Sequence, residues 1–140
     1  MSELELALRL IIAVVLGSLI GLERELAHRP AGLRTHALVC LGSCLFTVIS
    51  IYNFSMDTKV VAAIVTGIGF IGAGNIIATR GEIRGITTAA SLWAVSGVGI
   101  AVGVGSYILA TVTAFLVILI LQFRRLEKPQ KTPRRKGPIF

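Results

Sequence analysis

The chain has 140 residues, 54% of them apolar and only 15% charged, with a mean hydropathy of +0.84. A soluble domain of this size is not so apolar, so the composition indicates a multi-pass membrane protein. The net charge of +7 is concentrated in the carboxyl-terminal segment after Phe123, and no nucleic-acid-binding motif accompanies it.

Five hydrophobic segments are long enough to span a bilayer as helices, which predicts an all-α fold. They are residues 6–22, 36–51, 60–78, 88–103 and 107–123. The first follows an acidic start without a basic region or an evident small-residue cleavage site, so we expect it to remain as an anchor.

The basic residues predict the orientation of these spans. They collect on one side of the membrane, which the positive-inside rule assigns to the cytoplasm. These are Arg24, Arg29 and Arg34 after span one, Arg80 and Arg84 after span three, and seven residues after span five. The other side has Lys59, and Arg9 just inside span one is expected to snorkel outward. The amino terminus is therefore predicted outside and the carboxyl terminus in the cytoplasm.

Two regions follow from this pattern: a transmembrane domain over 1–123 and a disordered, basic cytoplasmic tail over 124–140. The tail has prolines among its basic residues and no apolar period. It either docks on anionic lipid headgroups or only fixes the topology, and the sequence leaves both open.

Small residues within the spans predict close helix packing. Gly17 and Gly21 stand four apart in span one, and Gly97, Ala101 and Gly105 do so across span four. Span three carries a run of four glycines, Gly67, Gly69, Gly72 and Gly74, followed by Asn75. The run fits the Gly-x-Gly-x-x-Gly pattern of dinucleotide-binding proteins, but no predicted strand precedes it, so we do not interpret it as a nucleotide site. These faces pack within one protomer or between copies, and we expect a homo-oligomer.

Two further features of spans two and four are interpreted as packing. His36, Cys40 and Cys44 share a helical face, but His36 and Cys44 are about 12 Å apart, too far to bind one metal ion. A hydrogen-bonded histidine among small residues is the preferred interpretation, with no metal site. Trp93 lies in the middle of span four, where it packs or contacts another copy.

The remaining polar residues converge on the predicted cytoplasmic side. They are Glu23 and Arg24, Arg34 and Thr35, Asn75, and Thr87 and Thr88. Thr35 and Thr88 are expected to cap helix amino termini, whose N–H groups and partial positive charge, beside Arg34 and Arg84, favour an anion such as a phosphate or lipid headgroup. Ordinary caps beside positive-inside loops explain the same pattern. The outer halves of the spans have no carboxylate, which weighs against a magnesium path through one protomer.

Three blocks of sequence together resemble the membrane domain of the MgtC/SapB family of bacterial inner-membrane proteins. They are Gly21-Leu-Glu-Arg-Glu25 with Arg29-Pro-Ala-Gly-Leu-Arg-Thr-His36, Gly67-Ile-Gly-Phe-Ile-Gly-Ala-Gly-Asn-Ile76, and Arg84-Gly-Ile-Thr-Thr-Ala-Ala-Ser-Leu-Trp93. The resemblance covers about residues 5–122 and implies five transmembrane helices. It also implies a role in growth at low magnesium, survival inside host cells and restraint of the ATP synthase. Many members continue into a soluble ACT-like domain, whereas this chain ends in the basic tail.

The leading hypothesis is a non-enzymatic inner-membrane protein without a cofactor. It binds membrane-protein partners, of which ATP synthase is one candidate, and has room for a small ligand in the cytoplasmic polar cluster. The alternative is a transporter or permease subunit for magnesium or another solute, whose flux depends on Asn75 or Glu23. An enzyme is disfavoured because no nucleophile and base stand at reactive spacing.

Overall fold

The computed structural model describes residues 2–54, 58–79 and 82–123. Five helices and one short hairpin make up this part of the chain. In order they are α1 (Glu3–Leu26), α2 (Leu33–Phe54), α3 (Thr58–Gly74), β1 (Ile77–Thr79), β2 (Glu82–Arg84), α4 (Ile86–Val104) and α5 (Tyr107–Gln122). The predicted tail, 124–140, lies outside the described residues.

The five helices occupy the five predicted segments. Helices α1, α2 and α4 are each long and apolar enough to cross a membrane, whereas α3 and α5 are apolar but have only 17 and 16 residues. At a rise of about 1.5 Å per residue, the shorter two reach roughly 25 Å. The helical fold and its membrane character are confirmed; a crossing by all five helices, and the orientation, stay predictions.

Glycine contacts place α2 between α1 and α4. A Cβ atom at Gly17 would lie 2.6 Å from Cys40 Cβ, and one at Gly21 would lie 2.6 Å from Leu33 Cα. On the α4 side of α2, a Cβ atom at Gly103 would lie 2.7 Å from Thr47 Cβ, and one at Gly99 would collide with the Cys40 carbonyl. Because no Cβ fits at these four positions, the backbones approach closely, and the buried residues of this three-helix core include Ala13, Ile20, Val95, Val98 and Val102.

The chain reverses through a β-hairpin between α3 and α4, which corrects the predicted third span. That span was expected to run to Ala78, but α3 ends at Gly74 and β1 pairs antiparallel with β2, Ile77 opposite Arg84. The Asn75 side chain donates to the Ile71 carbonyl and satisfies one of the free carbonyls at the helix end. Gly85, at φ +93°, lies against the Asn75 carbonyl, where any Cβ would collide. The hydrophobic run therefore continues past the helix.

Helices α2 and α4 also begin earlier than predicted. They start at Leu33 and Ile86, so Thr35 and Thr88 lie inside the helices, and the prediction that they cap them is wrong. The residue preceding α4 is Gly85, which makes no side-chain cap hydrogen bond. The start of α2 receives its cap from α1 instead, as described below.

The connections define two ends of the bundle. The "hairpin end" contains the α1–α2 turn and the β-hairpin, and the "Arg9 end" contains the α4–α5 turn. At the Arg9 end, Arg9 is only 6% exposed. It donates to the Gly103 carbonyl at 2.6 Å and pairs with Glu5 at 2.7 Å. The expectation that Arg9 snorkels outward is therefore wrong, because the free carbonyls at the end of α4 offer it a partner inside the protein.

Candidate functional site

A buried hydrogen bond joins α1 to α4 at the hairpin end. Arg24, 3% exposed, donates from Nη2 to Thr88 Oγ1 at 2.9 Å, and Thr88 is itself 2% exposed. The two residues are 64 positions apart, and both were expected at a functional site. A buried guanidinium without acceptors would be strongly destabilising, so Thr88 serves first as a hydrogen-bond acceptor for α1 rather than as a helix cap.

His36 makes a second polar link, between α2 and α4. Its ring is fully buried, with Nδ1 3.1 Å from the Gly32 carbonyl and Nε2 3.0 Å from Ser91 Oγ. Ser91 Oγ in turn donates to the Thr88 carbonyl at 2.8 Å. The interpretation of His36 as a hydrogen-bonded core histidine is confirmed. Through Thr88 and Ser91, the two links from Arg24 and His36 meet on one turn of α4.

The amino terminus of α2 already has an anionic partner from the same chain. Glu25 Oε2 accepts a hydrogen bond from the Leu33 backbone N–H at 3.0 Å, across eight residues. A carboxylate here satisfies a free helix N–H and interacts favourably with the helix dipole. A phosphate at this terminus would therefore compete with Glu25 for the Leu33 N–H, so any anion bound here would rely on a side chain rather than on that N–H. Arg34, the next residue, is exposed.

Glu23 differs from the other polar residues at this end. The residue is partly buried, and among the described residues its Oε2 atom is buried without a hydrogen-bond partner. An unsatisfied buried carboxylate oxygen is costly and calls for a proton, a cation or a donor from another molecule. Glu23 is thus a predicted site residue whose surroundings point to chemistry beyond packing.

The other predicted site residues are not gathered into the buried cluster. Thr35 lies partly buried in α2, and Thr87 is exposed at the start of α4. Asn75 is partly exposed, with its amide bonded to its own helix. The structure therefore brings together Arg24 and Thr88, and adds His36 and Ser91, whereas Asn75, Thr35 and Thr87 stay at the rim of the hairpin end.

The glycines of α3 do not pack as those of α1 and α4 do. Gly72 makes ordinary contact with Ala89 of α4, but among the described residues a Cβ at Gly67, Gly69 or Gly74 would meet nothing within 4 Å apart from the backbone of its own helix. The chain thus uses Gly17 and Gly21 for internal packing and leaves these three open. Trp93, for which packing is the default interpretation and a contact with another copy the alternative, is 57% exposed within the single chain, and the contact with another copy stays a prediction.

One face of α3 consists of small exposed residues. It points away from both α4 and the cleft between α2 and α3, and we call it the small α3 face. Its members recur at steps of four, three and four residues along the helix: Ala62, Thr66, Gly69 and Ala73. A transmembrane helix from another molecule can approach such a face closely.

Three contacts of the core were missed from the sequence, although each had a signal. Gly99 and Gly103 form a small-xxx-small pair, which was overlooked in favour of Gly97 and Gly105 two residues away. Ser91 follows Thr88 by three residues and therefore lies on the same helical face. Arg9 follows Glu5 by four residues, a spacing typical of a helical ion pair.

Comparison with known proteins gives consistent matches. The model of the MgtC family matches residues 10–128. The chain is 40% identical to the putative magnesium transporter YhiD of Escherichia coli K12 over 84% of its own length and 60% of that protein. It is 44% identical to protein MgtC of Brucella abortus, over 77% of its own length and 46% of that protein. It is 37% identical to protein SapB of Bacillus subtilis, over 85% of its own length and 56% of that protein. It thus spans about half to three fifths of these curated relatives, and no solved structure matches it.

Proposed function

This chain belongs to the MgtC family, and from that premise we propose that it is a non-enzymatic, multi-pass protein of the bacterial inner membrane. In this proposal it serves magnesium homeostasis, including adaptation to low magnesium or to host cells, by binding other membrane proteins. The names of its relatives support the magnesium-related role, since one is called a putative magnesium transporter and another MgtC. Because the chain spans only part of those relatives, the mode of action is argued from its own residues.

The small α3 face carries the proposal. Its residues are exposed, and a Cβ at Gly69 would meet no atom within 4 Å. Lipid tails are as apolar as the helices themselves, so helix association in a bilayer depends on close backbone approach, which small residues permit. A helix of a partner protein, with the ATP synthase as one candidate, or of a second copy, fits this face.

The polar residues support a structural rather than a catalytic role for the buried cluster. Arg24, Thr88, His36 and Ser91 hydrogen-bond to one another and to the backbone across α1, α2 and α4. Their bonds hold three helices in register at the hairpin end. A hydrogen-bonded core of α1, α2 and α4, beside a helix α3 that exposes a face of small residues, suits a protein that presents one helix to a partner.

A photo-crosslinking experiment tests this proposal. A photoreactive amino acid replaces Gly69 on the small α3 face or, as a matched control, Gly97 of α4, which also has no neighbour within 4 Å. Irradiation of native membranes is expected to give a discrete protein adduct from position 69 and none from position 97. Lipid adducts alone from both positions would contradict the proposal.

A transporter for magnesium or another solute is the second candidate, and Glu23 is the observation that favours it. Its buried, unsatisfied Oε2 atom is a hard oxygen ligand of the kind that magnesium prefers. In proteoliposomes, a transporter would carry magnesium, and Glu23→Gln would abolish the flux. Magnesium flux by the purified protein would overturn the partner-binding proposal. The absence of flux into sealed vesicles that contain correctly folded protein would overturn the transporter proposal.

A further inference from the structure

A narrow apolar groove lies between α2 and α3. Its volume is about 570 Å³, and it is open along one side. Glycines on both helices widen it, because Gly42 and Gly67 have no neighbour within 4 Å of a Cβ position. Its walls run from one leaflet toward the other and include Leu38, Gly42 and Phe46 of α2 and Val60, Gly67 and Ile71 of α3.

The dimensions of the groove favour a chain of methylene groups over a helix. From Val60 to Ile71 the wall is about 16 Å long at the usual helical rise. A helix of roughly 10–12 Å diameter would fill about 1,300–1,800 Å³ over that length, more than twice the 570 Å³ of the open groove. One extended acyl chain fits inside, whereas a helix would lie across the opening.

Charge at the hairpin end favours a phospholipid as the source of that chain. Arg34 is exposed and lies one helical turn before Leu38, a wall residue of the groove, along α2. Asn75 lies one turn beyond Ile71 on α3. Lys59 stands near the opposite mouth but already has an interaction within the chain. A guanidinium is well matched to a phosphate, which it binds with two parallel hydrogen bonds.

We propose that the α2–α3 groove holds one acyl chain of an anionic phospholipid whose phosphate is bound by Arg34. The lipid belongs to the leaflet at the hairpin end, and it fills the cleft that α3 leaves beside the core. Its binding depends only on the membrane location of the chain. It goes beyond the partner-binding role, whose helix face lies on the other side of α3.

Native mass spectrometry of the intact protein, released from nanodiscs of phosphatidylglycerol and phosphatidylcholine, tests the proposal. The unaltered protein is expected to retain one phosphatidylglycerol. Gly42→Leu and Gly67→Leu place a side chain in the groove at positions where a Cβ meets nothing within 4 Å, and each should lower retention about tenfold or more. Gly97→Leu, an equal addition outside the groove, should leave retention unchanged.

The headgroup is tested separately. Arg34→Gln should weaken retention of phosphatidylglycerol about fivefold, the effect of one basic residue near an anionic surface, and Arg34→Lys should restore part of it. Lys59→Gln should have no effect. Retention that survives both Gly42→Leu and Gly67→Leu, or that is equal for the two lipids, would overturn the proposal. So would efficient disulfide formation between two copies carrying Gly67→Cys, since a second copy would then fill the groove.

Discussion

Two sets of glycines in the same chain have opposite surroundings. Gly17, Gly21, Gly99 and Gly103 lie against α2 so closely that a Cβ at any of them would collide. Gly67, Gly69 and Gly74 of α3 face open space. Glycine in a membrane helix therefore marks close approach only where the fold supplies a facing helix. Where it does not, the glycines leave open space beside the helix, which the two proposals above assign to lipid and to another protein.

The hydrogen bonds follow the same division. At the two ends of the core, Arg9 and Arg24 of α1 each donate to α4, and His36 joins α2 to the same helix. Thr66 of α3 and Asn75, the residue after α3, by contrast donate to carbonyls of α3 itself. Displacing helix α3 would therefore break none of these bonds between α1, α2 and α4.

The largest expected effect separates the two sets of glycines directly. Gly17→Leu must push α1 away from Cys40 and is expected to destabilise the fold by about 3 kcal/mol. Gly69→Leu, on the small α3 face, should change the free energy of unfolding by about 0.5 kcal/mol or less. Denaturant titration of both variants in bicelles provides the measurement. Equal destabilisation would mean that α3 is packed as tightly as the core.

The next effect concerns the Arg9 end. Arg9→Met keeps the bulk of the side chain but removes the donor to the Gly103 carbonyl and leaves Glu5 without its partner. Since hydrogen bonds from charged groups contribute more than neutral ones, we expect a loss of about 2 kcal/mol in the same titration. Lys59→Met, at the start of α3, is the matched control and should cost less. A larger loss of stability for Lys59→Met than for Arg9→Met would contradict the prediction that the core contributes more to stability than α3 does.

A smaller effect is expected from one hydroxyl at the hairpin end. Thr88→Val preserves shape but deprives the buried Arg24 of an acceptor, at a cost of about 1–2 kcal/mol. Thr87→Val, one residue earlier and exposed, should be nearly neutral. The thermal unfolding temperatures of the two variants in detergent give the comparison. If both were neutral, the Arg24–Thr88 bond would not contribute to core stability.

Features that depend on residues near in sequence could be predicted, whereas features that depend on the packing of distant segments could not. Hydrophobic length located all five helices, since it depends on neighbouring residues alone. The ends were less accurate, because Glu25 caps α2 from another helix and Asn75 stops α3 inside an apolar run. The set of inner polar residues was partly recovered, but the pairing of Arg24 with Thr88 is set by the packing of α1 on α4. Which glycines face a helix depends on the same packing.

The smallest structural effect, and the most informative for function, is expected at Asn75. Its amide bonds to the Ile71 carbonyl one turn earlier, within its own segment of chain, so Asn75→Leu should cost about 0.5 kcal/mol or less in stability. A folded Asn75→Leu variant then separates the two candidate functions. Loss of the protein adduct formed from position 69 would link the end of α3 to partner binding, whereas loss of magnesium flux would link it to transport. Strong destabilisation by Asn75→Leu would instead show that the fold depends on Asn75 as it does on Arg24. The distinction between a hydrogen-bonded core and a separate α3 would then be wrong.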